Sequence, residues 1–303
     1  MFWWTSARTS LLSFAAPSWR MLVLTCSSKL ATLRRLLVHS FPESLKACGA
    51  LHHVIIGNPF KLEVLVDQWP DFSTVICRPS LEDMKDPSDH YTNTYFLFSK
   101  DLQHLRQILE DPRVVNWKQD LQIQGCQPAL GGLLQEVSSK HGRQINTSSN
   151  FLYMRDRMTD EELENINSIS SNELWYTPLL VHEAPLVNSR WAFGMNQRSL
   201  RFIERCIQNL PTICVRKKGL DQPIAWGLIE NSMEIRMGYT FSDYRNLGLA
   251  HNVLLKLAAA NYEKEAPTYV HTAPDNIPGQ AVILKAGFQL IGRGDQYFFK
   301  QKS

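Results

Sequence analysis

The sequence has no cysteine pair at C-x-x-C spacing: Cys26, Cys48, Cys77, Cys126, Cys206 and Cys214 are scattered through 303 residues, with no histidines at metal-ligand intervals beside them. That excludes the zinc and redox motifs a sequence can display, and it fits free, buried thiols in a reducing compartment. No apolar run approaches the roughly 20 residues that a membrane-spanning helix requires. Strong charge of one sign is missing too, since 32 basic side chains face 29 acidic ones for a net +3. Without Lys and Arg massed on one surface, nucleic-acid binding is set aside. No internal repeat is found. One absence is local: residues 1–35 carry Arg8, Arg20, Lys29, Arg34 and Arg35 but no acid, the first being Glu43. Basic residues among Ser and Thr make residues 1–20 a candidate mitochondrial transit peptide. A short secretory signal on residues 11–17, or a start at Met21 with a cytoplasmic or endoplasmic-reticulum-associated product, are the other readings.

What is present is a globular composition, 44% hydrophobic and 20% charged, in a chain long enough for two domains. Residues 36–213 are net acidic, with 16 basic against 21 acidic side chains. Leu30, Leu33 and Leu37 predict a helix that Pro42 ends, followed by a short helix at 43–47. Strand-like runs follow at 62–66, 74–77 and 92–98, and helices are predicted at 102–109 and 116–124. Residues 135–175 turn polar and read as a linker, holding a short strand at 150–154 and a capping box at Thr159-Asp160-Glu161-Glu162. Leu200, Ile203, Cys206, Ile207 and Leu210 recur at helical spacing before Pro211. Strands are then predicted at 212–215, 224–229 and 233–239, a helix at 248–262, a strand at 268–272, a helix at 279–286, and strands at 289–291 and 296–300. The alternation of strands and helices predicts an α+β (α/β) fold.

The stretch that carries chemistry is Met233-Glu234-Ile235-Arg236-Met237-Gly238-Tyr239, followed after a loop by Arg245-Asn246-Leu247-Gly248-Leu249-Ala250 and a helix. A strand, a glycine-bearing turn and a helix N-terminus aim unpaired backbone N–H groups and the helix dipole at one place, which suits a pyrophosphate. Alternation puts Glu234, Arg236 and Gly238 on one strand face.

With Asn276 in a later loop and Ala286-Gly287-Phe288 after it, this arrangement resembles the GNAT superfamily of N-acyltransferases. Phe41-Pro42-Glu43-Ser44-Leu45-Lys46, Gly57-Asn58-Pro59-Phe60, Trp69-Pro70, His90-Tyr91-Thr92-Asn93 and Asn116-Trp117-Lys118-Gln119 resemble the N-terminal domain of glycine N-acyltransferases. The resemblance covers about residues 21–292 and implies two GNAT-like domains, 21–211 and 212–303, each a mixed, mostly antiparallel sheet flanked by helices.

It further implies an enzyme with acyl-CoA as co-substrate, no tightly bound cofactor and no metal. The acyl group would pass to glycine or a related amino acid such as glutamine, or the protein would bind acyl-CoA with little turnover or serve another amine. Coenzyme contacts would come from Met237, Tyr239, Arg245, Asn246, Leu247, Gly248, Leu249, Ala250 and Asn276, and Glu234 would be the general base. An amino acid is mostly ammonium at neutral pH, so a base is needed before it can attack. Partial burial beside Ile235 and Met233 is expected to raise the proton affinity of Glu234 above that of an ordinary Glu, whose pKa is about 4.3. Arg236 could steer an acceptor carboxylate. Two features depart from the family pattern: Ile283 stands where many GNAT enzymes carry an acid Tyr, and Tyr297-Phe298-Phe299-Lys300 replaces a Trp-rich tail.

Overall fold

The computed structural model describes residues 20–301, so most of the candidate transit segment lies outside the described residues. The chain runs through strand β1 (Leu22–Val23), helices α1 (Ser27–Val38) and α2 (Leu45–Ile55), strands β2 (Leu62–Val66), β3 (Thr74–Pro79) and β4 (Thr94–Ser99), helix α3 (Leu102–Glu110), strand β5 (Leu121–Gly125) and helix α4 (Leu130–Lys140). It continues with strand β6 (Arg143–Met154), helix α5 (Asp160–Asn167), strand β7 (Leu174–Thr177), helices α6 (Ala184–Arg190) and α7 (Gln197–Asn209) and strands β8 (Thr212–Lys217), β9 (Ala225–Ile229) and β10 (Ile235–Thr240). Helix α8 (Leu249–Glu263), strand β11 (Tyr269–Thr272), helix α9 (Ile277–Lys285) and strand β12 (Gln289–Gln301) complete it.

The strands form an eight-stranded sheet in the order β1-β2-β3-β4-β5-β12-β6-β11 and a four-stranded sheet in the order β10-β9-β8-β7. Pairing is antiparallel except between β4 and β5. This is the mixed, mostly antiparallel α/β arrangement that the resemblance implied. Strand partners nevertheless cross residue 211: β6 pairs with β11 and β12, and β7 pairs with β8. One core cluster accordingly runs from Leu33, Leu37 and Leu51 to Trp226, Leu228 and Leu257, joining both halves. A second lies under α3 and α4, around Tyr95, Leu121, Ile123 and Phe299.

Three expectations are corrected. The helix predicted at 116–124 is turn and then strand β5, because Leu121 and Ile123 enter the second core while Gln122 and Gln124 alternate onto the opposite face. The predicted linker at 135–175 holds the end of α4, all of β6 and α5; β12 pairs along β6 and keeps its polar residues extended, while β11 joins the other side only at 151–154, within the predicted short strand. The final two predicted strands are a single β12, with a register shift near Leu290. The capping box at Thr159 and the helix after Asn196 are formed as predicted.

Candidate active site

Strand β11 is one edge of the larger sheet and β10 one edge of the smaller, and among the described residues no ladder joins them. The sheets therefore diverge, and the predicted site residues lie along the opening. On β10 the register slips between Arg236 and Tyr239, with Met237 at φ 55°, so the strand bulges outward. The chain then turns at Ser242–Tyr244 and enters α8 through Asn246 at φ 62° and Gly248 at φ 76°. A left-handed conformation at the helix entry is why glycine suits position 248. No side chain caps α8, and the helix ladder begins at the Asn252 amide, which donates to Gly248 O at 3.0 Å. The amides of Leu249, Ala250 and His251 are left for an external anion, as the sequence predicts for a pyrophosphate. Arg245 Nε braces the loop by donating to Thr240 O at 3.2 Å, while Leu247 stands exposed.

The other implied coenzyme contacts are placed less directly. Met237 is buried, and the Tyr239 ring packs 5.2 Å from Trp226 and 5.4 Å from Phe241. Asn276 is foremost a cap: Oδ1 accepts from the Gly279 amide at 3.1 Å and Nδ2 donates to Thr272 Oγ1 at 3.0 Å, tying α9 to the end of β11. Ile283 is a buried core residue of α9.

Glu234 sits in a buried cluster of charges. Lys46, from α2, donates to Glu234 Oε2, to Glu230 Oε1 at 3.1 Å and to Ser232 Oγ at 3.3 Å. On the other side, the His271 amide donates to Glu234 Oε1 at 3.3 Å and His271 Nδ1 lies 3.1 Å from the same oxygen. Arg236 Nε is 3.8 Å from Glu234 Oε1, but its Nη1 donates to Glu230 Oε2 at 2.8 Å. Tyr269 Oη closes the cluster by donating to Ser232 O at 2.7 Å.

This overturns the expected rise in the proton affinity of Glu234. Burial does push its carboxyl upward, but Lys46, His271 and Arg236 outweigh that and hold it well below the usual carboxylate range. Glu234 is thus fixed as an anion. Arg236 is likewise no free guanidinium, because Glu230 and Glu234 keep it charged and paired.

A narrow cavity of about 10 Å³ reaches Glu230 and Arg236, bounded by Gln124, Trp191, Gln296 and Phe298. A second, of about 170 Å³, adjoins it; Tyr91, Phe202 and Asn231 line both. Burial pushes the thiols of Cys48 and Cys126 up to about 12 and raises Cys206 and Cys214, so none of these four is a ready nucleophile. Among the described residues no group of His, Cys, Asp and Glu could hold a metal ion.

Sequence reasoning missed Lys46, Glu230 and His271. Lys46 left one trace, a lone cation within the apolar run Leu45-Lys46-Ala47-Cys48-Gly49-Ala50-Leu51. His271 shares a strand face with Tyr269, but nothing in a four-residue strand says what that face meets.

Diverging sheet edges, a bulged strand and a glycine turn opening a helix are the frame of a GNAT-type N-acyltransferase. An X-ray structure of a Drosophila protein superposes with a TM-score of 0.73 over 93% of this chain and 99% of that one, at 12% identity. A GCN5-related N-acetyltransferase-like protein from Streptococcus suis gives a TM-score of 0.50 over 91% of this chain and 100% of its own, at 14% identity. Within that class, the profile described as aralkyl acyl-CoA:amino acid N-acyltransferase matches residues 21–211, and the profile of its C-terminal region matches 218–297. Glycine N-acyltransferase of Bos taurus is 38% identical over 270 residues, 84% of this chain and 91% of that protein. Human glycine N-acyltransferase-like protein 2 is 37% identical over 285 residues, 90% and 96% of the two chains. The chain belongs to the aralkyl acyl-CoA:amino acid N-acyltransferase family and is an acyl-CoA-dependent acyltransferase.

Proposed function

We propose that the protein transfers the acyl group of an acyl-CoA to the amino group of a small amino acid, glycine foremost and glutamine as the alternative, by direct attack in a ternary complex. The observation that carries this reading is Glu234, a buried anion immediately before the strand that leads to the coenzyme loop, where the edges of the two sheets meet. The pyrophosphate would rest on the amides at the start of α8, with Arg245 to Ala250 around it. Glu234 would serve as the basic centre that makes the acceptor amine nucleophilic. A coenzyme A thiol, similar to a Cys thiol of pKa about 8.5, leaves without a dedicated acid, which suits a site with Ile283 in place of Tyr. The basic, acid-free start of the sequence supports a mitochondrial destination for the enzyme.

Purified protein incubated with a panel of acyl-CoAs and amino acids should release free thiol with glycine or glutamine. No release with any acceptor would sink the proposal and leave a coenzyme-binding protein. Glu234→Gln should lose roughly 10²–10⁴ in kcat with acyl-CoA binding little changed. Mitochondrial import of a fusion carrying residues 1–35, against its absence when these are removed, checks the location.

A further inference from the structure

We propose that His271 is a catalytic residue of this site: its Nε2 receives the proton of the acceptor amine, and Glu234 stands behind the ring at Nδ1. The proposal rests on the amino-acid acylation put forward above.

The geometry comes from both sheets. Strand β11 presents Tyr269 and His271 toward β10, where the His271 main chain and ring both meet Glu234 Oε1, at 3.3 and 3.1 Å. The ring stands off the line of an ideal hydrogen bond, and Nε2 has no partner among the described residues although the side chain is only 5% exposed. A buried polar nitrogen without a partner is costly unless a ligand or water satisfies it, and of the ring's two nitrogens Nε2 is the one with no carboxylate beside it. Its tip occupies space that only glycine leaves: a Cβ on Gly294 would lie 2.0 Å from Nε2. By strand alternation Gly294 shares a face of β12 with Gln296 and Phe298, which line the cavity beside Arg236. The imidazole therefore packs against the strand that supplies one wall of that cavity, one step along β12 from Gln296, without itself lining it.

Glu234 is poorly suited to act alone. Its Oε2 is taken by Lys46, its Oε1 by the His271 amide, and the surrounding cations hold its carboxyl well below the usual range. Such an anion is a weak proton acceptor but a strong orienting group for an imidazole, the side chain that exchanges protons between pH 5 and 8. The charged and titratable groups facing the pair are Lys46 from α2, Glu230 and Arg236 around the start of β10, Tyr269 on the strand of His271, and Cys126 just after β5.

In the step proposed, the ammonium gives one proton to Nε2, which passes it to solvent. The nitrogen lone pair then forms a C–N bond to the thioester carbonyl and the C–S bond breaks with its electron pair on sulfur. The second nitrogen proton is taken by Nε2 and returned to that sulfur, leaving an amide and a free thiol.

The test measures thiol release with acyl-CoA and glycine across pH. His271→Asn should lower kcat by roughly 10²–10⁴ with KM for acyl-CoA within about twofold, and the fall in rate at acid pH should vanish from its profile. Added imidazole should restore part of the activity of His271→Ala. A His271→Asn enzyme that keeps its kcat within about threefold and its acid limb overturns the proposal. If that variant does not fold, histidine NMR of the wild type decides: a His271 ring that holds one protonation state across the acid limb overturns it equally. Wild-type protein that releases no thiol with any acceptor refutes the functional reading instead, so the two failures are distinct.

Discussion

A buried lysine in the first turn of a helix, followed by apolar residues, has to be explained by what it meets, and Lys46 meets two carboxylates. With Glu230 and Glu234 on one side and Arg236 completing the set, the buried charges nearly cancel. Removing one member leaves another uncompensated. Lys46→Met should therefore cost about 3–5 kcal/mol of stability, read from urea unfolding, and should raise the proton affinity of Glu234. A variant as stable as the parent would mean that the cluster is open to water. Glu234 was legible in the sequence because it stands at the head of a motif-bearing strand. Its partner Lys46 is 188 residues away, and nothing local to either residue announces a pairing of that kind. The error about the proton affinity of Glu234 has the same origin, since its sequence neighbours are apolar while its neighbours in space are cations.

At the scale of elements, α2 is the piece on which the site leans. It approaches the turn before β10 so closely that a Cβ on Gly49 would stand 1.8 Å from Ser232 O, a backbone atom. Gly49→Ala should shift that turn, costing about 1–3 kcal/mol and lowering kcat with it, as thermal unfolding and thiol release would show. Glutamate placement would be unaffected only if the helix could slide away. The same helix buries His52 and His53, whose imidazoles are pushed down to about 4 by burial, with Arg34 adding to it for His52 and Arg205 for His53. The unfolded chain binds protons on them below about pH 6.5, while the folded helix refuses them until about pH 4. Stability from this source is full above pH 6.5 and declines toward pH 4, by on the order of 2 kcal/mol for each after solvent screening. Melting temperatures at pH 7.5, 6 and 5 should fall accordingly, and less steeply in His52→Leu. Helix α8 carries the complementary prediction: a bulky residue at Gly248, where φ is 76°, should raise KM for acyl-CoA with little change in kcat. Elements with their own period, such as α7 and α8, were readable. Strand β5 and the polar first part of β6 were not, because their polar residues face a cleft or are held by pairing with β12 rather than following local propensity.

For the whole molecule, the two halves suggested by the sequence share their sheets. Strand β12 runs between β5 and β6, so residues 289–301 complete a sheet that residues 22–154 begin. Separately expressed segments 21–211 and 212–301 should each fail to fold, and the whole chain should unfold in one step by both near- and far-ultraviolet circular dichroism. Two resolved transitions would show independent domains. The resemblance predicted the class of fold because it rested on runs of residues in both halves; the shared sheet lay beyond it, since β12 gives no local sign of having two neighbours. That inner place for the latest strand also bears on biosynthesis. As the polypeptide leaves the ribosome from its N-terminus, β5 and β6 emerge with facing edges that nothing yet fills, and an open edge invites foreign strands. Until the closing segment clears the exit tunnel those two edges stay open, so the large sheet can be completed only once synthesis has ended.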